Sequence, residues 1–114
     1  QEFLQLTIPS GGSMSAALNV GAKSIQALVM PPGWDTASVT FQASADGGVT
    51  WGNVLAPAGS ELSYSAPSAN DWLQLDPYQW RGIITLRIRS GMSASPVAQT
   101  ADRVFQVVVR SDVT

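Results

Sequence analysis

Alternation of apolar and polar positions runs through almost the whole chain. Leu4, Leu6 and Ile8 fall on one face of an opening strand, with Phe3, Gln5 and Thr7 on the other. Pro9 ends it by withholding an N–H donor, and residues 10–13 (Ser-Gly-Gly-Ser) form a loop. A weaker strand over 14–20 closes at Gly21. The next, over 23–30, is apolar on both faces: Ile25, Ala27 and Val29 on one, Leu28 and Met30 on the other. Pro31-Pro32-Gly33 stops it, with Trp34 directly after. Strands over 39–43 and 49–55 read as a hairpin across an Asp46-Gly47-Gly48 tip. Short strands over 61–65 and 71–75 follow. Asp76 to Gly82 reads as a tight turn or one helical turn, with Asp76 as N-cap and Pro77 at the first helical position. Residues 83–90 alternate cleanly, placing Ile84, Leu86 and Ile88 inward and Thr85, Arg87 and Arg89 toward solvent or a partner. A polar loop over 91–102 leads to a last strand over 104–110, where Phe105, Val107 and Val109 form one face and Val104 and Val108 make the other apolar too.

Eight or nine short strands between Gly/Pro turns predict an all-β fold: a two-sheet antiparallel sandwich, jelly-roll-like, in one domain over residues 1–114. The two strands without a polar face change that picture. An isolated sandwich exposes one face of each sheet, so an apolar outer face needs a cover. Phe3, Leu28, Met30, Val104 and Val108 are therefore candidate contacts to another subunit, joined by the paired arginines Arg87 and Arg89. A solvated face pairing with acids across the sheet is the plainer reading of those arginines.

Composition narrows the chemistry. Charged residues are 12% of the chain, about half the usual share, which suits a surface packed against neighbours. The net charge is −2 with no basic cluster, so no nucleic-acid groove is expected. The chain has no Cys and no His, which removes thiolate chemistry, His-based triads and the common zinc ligand sets. No apolar run approaches the ~20 residues of a membrane-spanning helix, and no membrane partner is expected. No cofactor or metal site is expected either. Asp71 and Asp76 flank Trp72 near Tyr78 in a pattern loosely like a sugar platform with catalytic acids. Their simpler roles are turn and cap residues. Asp46 and Asp102 lack the spacing of a calcium loop.

Ser44, Asp46, Gly48, Thr50 and Trp51 match the spacing of the Asp-box of sialidases and other propeller proteins. A propeller needs at least four blades of about four strands, more than this chain can supply. The motif is therefore expected to be a hairpin staple: Asp46 accepts backbone N–H groups, a glycine supplies positive φ, and Trp51 folds back as a plug.

The order of segments 39–51 (VTFQASADGGVTW), 86–91 (LRIRSG) and 93–103 (SASPVAQTADR), followed by the terminal apolar strand, resembles small virion structural proteins of tailed bacteriophages, across about the C-terminal two-thirds. The β-sandwich members of that group include capsid decoration, or cement, proteins. The resemblance implies a non-enzymatic assembly role in the virion, with the major capsid protein and further copies of the chain (as dimer or trimer) as partners and assembly in the host bacterial cytoplasm. It supplies no catalytic residue. Residues 1–8 and 91–102 are the segments expected to reach neighbours. The competing reading is a carbohydrate-binding or adhesin-like module on a tail or fibre, carried by Trp34, Trp72, Tyr78 and Trp80.

Overall fold

A computed structural model describes residues 2–76, 80 and 82–111. Ten strands follow in chain order: β1 (Glu2–Ile8), β2 (Leu18–Asn19), β3 (Lys23–Val29), β4 (Val39–Ser44), β5 (Gly52–Asn53), β6 (Ser63–Tyr64), β7 (Trp72–Gln74), β8 (Thr85–Met92), β9 (Ser95–Pro96) and β10 (Arg103–Ser111). One sheet has the order β1-β10-β3-β7 and the other β2-β8-β4-β5, with β6 also on β4 and β9 on β8. All the pairings are antiparallel. β5 and β6 line up end to end along β4, so they act as one interrupted edge ribbon. Counted so, and with β9 set aside, the chain crosses between the sheets at every connection except the β4–β5 hairpin, which is the jelly-roll arrangement. The all-β sandwich expected from the alternation is the fold observed.

Both sheets feed one apolar layer. Leu6, Ile8, Ile25, Leu28, Phe105 and Val107 enter from the first sheet, and Val39, Phe41, Leu86 and Ile88 from the second. Trp34 stands edge-on to Phe105 at 5.4 Å and Trp80 edge-on to Phe41 at 4.8 Å, so both indoles plug the sandwich from strand ends. Trp80 N–H donates to the Asp76 carbonyl, as in one helical turn. Pro77, Tyr78 and Arg81 of that predicted turn lie outside the described residues.

Three expectations are corrected here. Leu28 and Met30 were assigned to a face opposite Ile25, but all three lie in the core. The cause is a bulge: Val108 pairs with Ala27 and Val109 with Ile25, so Gln26 is an extra residue that reverses the phase of β3. Ile84 was expected inward. It precedes β8 and is half exposed, while Thr85 is buried on the outer side. The strand expected over 14–20 shrinks to β2 plus a bridge from Met14 to Arg89.

The 91–102 loop, expected to reach outward, is fastened down. Gly91 turns at a φ of 91°, and a Cβ there would lie 2.7 Å from the Ser95 carbonyl and the Val97 nitrogen. Only glycine leaves room for β9 to fold back on β8. Gln99 is buried and acts as a hub. Its Oε1 accepts from Asp35 N–H and Arg103 Nε, and its Nε2 donates to the Asp35 carbonyl and Ser90 Oγ. Asp35 Oδ2 accepts Thr100 N–H, and Asp102 Oδ1 accepts Ser10 N–H. The loop is thus a clamp between the two neighbouring turns.

Candidate functional site

Two surfaces carry the residues singled out in the sequence, one on the outside of each sheet. On the second sheet, the Asp-box residues form a closed network at the β4–β5 tip. Ser44 Oγ donates to Asp46 Oδ1 (2.7 Å) and accepts Gly48 N–H (2.9 Å). Asp46 Oδ1 also accepts Val49 and Thr50 N–H, and Oδ2 accepts the Thr50 hydroxyl at 2.6 Å. These bonds, the Thr50 hydroxyl first, hold the Asp46 carboxyl well below its ordinary range. Gly47 and Gly48 take φ of 77° and 103°, and Trp51 Nε1 donates to the Gly48 carbonyl. The polar side-chain groups of Ser44, Asp46, Thr50 and Trp51 all bond within their own turn. This is the staple the spacing predicts.

Trp51 does not enter the core. Its ring lies 4.2 Å beneath the Arg87 guanidinium, an arrangement worth roughly 0.5–1 kcal/mol at such half-exposed sites. Arg87 Nε and Nη2 both donate to Gln42 Oε1. Burial, and then the neighbouring Arg89 charge, lower the Arg87 pKa. Arg89 corrects an expectation: proposed as a partner contact, it is 3% exposed. The excursion between β5 and β6 covers it, Nη2 donating to Asn53 Oδ1 (2.6 Å) and Nη1 meeting Glu61 Oε2 (3.3 Å). Glu61 Oε1 in turn accepts Ser93 N–H. Arg89 is spent inside the molecule, and only Arg87 still faces outward.

On the first sheet, register places Phe3, Val108, Ala27 and Gln74 in one row of the outer face, and Gln5, Gln106, Val29 and Trp72 in the next. Thr7 and Val104 follow. Phe3 and Trp72 stand on the two edge strands, about 14 Å apart across three ladders. Their rings nevertheless meet edge to face at 6.3 Å. Both side chains therefore lean inward over the middle strands, beside Val108, which is 1% exposed. Val108 was a candidate subunit contact and is corrected: the chain covers it itself. Leu28 and Met30 are excluded from contact by their core positions. The exposed apolar surface is the roof instead, with Phe3 at 52%, Trp72 at 53% and Val104 at 37%.

Pockets are modest. An apolar pocket of about 190 Å³ lies between the 54–62 excursion and Trp80 with Ile83. A shallow polar groove beside the staple is lined by Asn19, Ser44, Thr85 and Ile84. Asp71 Oδ2 accepts Ser68 N–H as a turn residue. Among the described residues no group of three or more acids could hold a metal ion. With Trp34 and Trp80 turned inward and Tyr78 outside the described residues, Trp72 is the one exposed indole of the expected sugar platform.

Residues the sequence reading missed are Gln99, Glu61, Asn53 and Asp35. Each acts on a partner distant in the chain, and no local spacing marks it. Compared with known families, curated proteins and solved structures, the chain matches none.

Proposed function

We propose that this chain is a virion structural protein of a tailed phage, a capsid decoration protein that seats on the outer lattice and ties neighbouring major capsid subunits together without catalysis. The observation that carries this reading is the outer face of the β1-β10-β3-β7 sheet. Its middle rows hold Gln5, Gln74, Gln106 and Thr7 around the Phe3–Trp72 roof, with no charged side chain. Exposed Arg110, opposite Ser24, stands at one end of that face. A neutral face with an aromatic centre and its charge at the margin has the layout of a protein interface. The resemblance to phage virion proteins supplies the identity of the partner.

A repeated lattice makes a small footprint sufficient, since each added site raises avidity. Full burial of Phe3 and Trp72, each already half covered, would contribute about 2 kcal/mol apiece. The test is co-sedimentation with empty capsids. Trp72→Ser is expected to weaken binding about 30-fold while the far-ultraviolet circular dichroism stays unchanged. Binding that is indifferent to both Phe3→Ser and Trp72→Ser would remove this reading. Trp72 exposure also leaves the adhesin reading testable: quenching of its fluorescence by glycans, with no capsid affinity, would favour that module.

A further inference from the structure

β1 pairs with β10 along one side and, among the described residues, has no strand on the other. Which of its backbone groups face the open side follows from the ladder. Met30 N–H donates to the Asp71 carbonyl, so β3 positions in phase with Met30 bond toward β7. Val29 then bonds toward β10 at Gln106. Antiparallel alternation sends Phe105 and Val107 toward β1, where they meet Leu6 and Leu4. Phe3, Gln5 and Thr7 consequently turn their N–H and C=O groups outward. Among the described residues no hydrogen bond reaches them there.

Exposed edges are ordinarily shortened, bulged or armed with charge. The other edges of this sandwich follow that rule: β2, β5 and β6 span two residues each and β7 three. β1 spans seven, with no Pro, no Lys and an unbroken register. Its single charge, Glu2, lies at the strand end and is paired with Lys23.

We propose that two copies of the chain join through β1, antiparallel about a twofold axis at Gln5, merging two four-stranded sheets into one. The pattern is symmetric about that residue. Gln5 meets Gln5 of the second copy, Leu4 meets Leu6, and Phe3 meets Thr7. Each pair shares a face, so both cores stay on one side of the joined sheet. The residues whose backbone groups are open are the ones that meet, giving about six hydrogen bonds between copies. Half-buried Leu4 is covered by the second copy, and no like charges face each other at the axis. The outer face, neutral in its middle rows, continues across the junction. This pairing stands independently of the capsid reading.

The test is sedimentation equilibrium of the full chain over a concentration series, with amide hydrogen exchange. A dimer is expected, with protection at Phe3, Gln5 and Thr7 rising with concentration while Leu4 and Leu6 stay protected throughout. Gln5→Pro removes an outward N–H and no internal ladder bond, and is expected to raise the dissociation constant at least tenfold. Gln5→Lys, which sets like charges face to face, is expected to do the same at low salt and to recover at high salt. A monomer at every concentration, a dimer that survives both substitutions, or a dimer whose Phe3, Gln5 and Thr7 amides exchange freely overturns the proposal. A dimer without capsid affinity sinks only the decoration reading, and a capsid-binding monomer sinks only this pairing.

Discussion

Asp46 stands at an exposed hairpin tip and yet accepts four hydrogen bonds, from the Ser44 hydroxyl, two backbone N–H groups and the Thr50 hydroxyl. All of them favour the ionised form, so the folded carboxyl titrates below its ordinary 3.8. A lowered folded pKa means that the stabilisation is complete above the unfolded value and is lost as pH falls from there toward the folded one. Unfolding titrations are therefore expected to show the wild-type chain losing stability below about pH 4, and Asp46→Asn to be weaker at neutral pH with a flatter acid limb. Parallel acid limbs would show that the staple contributes nothing. This network was legible in the sequence because its members lie within eight consecutive residues, Ser44 to Trp51, where spacing alone sets geometry. Gln99 was not. Its Oε1 accepts the N–H of Asp35, 64 positions away, and no local pattern distinguishes it from any surface glutamine.

At the scale of elements, two strands carry the lesson. β8 alternates as expected, and its arginines do share the outer face, but the excursion between β5 and β6 folds over one of them. Asn53 and Glu61 then hold the buried Arg89 guanidinium, whose charge depends on them for its partners. Removing one partner of such a pair leaves the other uncompensated, at roughly 3–5 kcal/mol, whereas removing both is far milder. Arg89→Met alone is thus expected to lower the unfolding free energy by about 3 kcal/mol in urea titrations, and Arg89→Met combined with Glu61→Leu to recover at least half. Equal losses in both variants would refute the coupling. In β3, apolar residues on both sides of the strict alternation suggested two buried faces. A single inserted residue, Gln26, redistributes them: Ile25, Leu28 and Met30 all point into the core, and Ala27 and Val29 lie on the outer face. A bulge changes phase without changing composition, so it is invisible until the partner strand is known.

At the scale of the whole molecule, the first strand pairs along its full length with the last, Glu2 opposite Val109 through Ile8 opposite Arg103. Closing a loop of nearly the entire chain precedes any gain from that contact. Folding is expected in the millisecond-to-second range typical of such topologies. Stopped-flow fluorescence can follow it, with Trp80→Phe identifying the signal of the buried indole. A microsecond phase carrying most of the amplitude would contradict this. The alternation of side chains by itself determined that the molecule is built of short antiparallel strands in two layers, because facing one side to water and one to a core is a local demand on every strand. It also determined the Asp-box turn. Only the tertiary structure decided which apolar residues remain outside. Val108 lies under its own roof, Arg89 under a neighbouring excursion, and Phe3 and Trp72 meet from opposite edges. Exposure depends on what crosses above a strand, and that is set by chain segments far away in sequence.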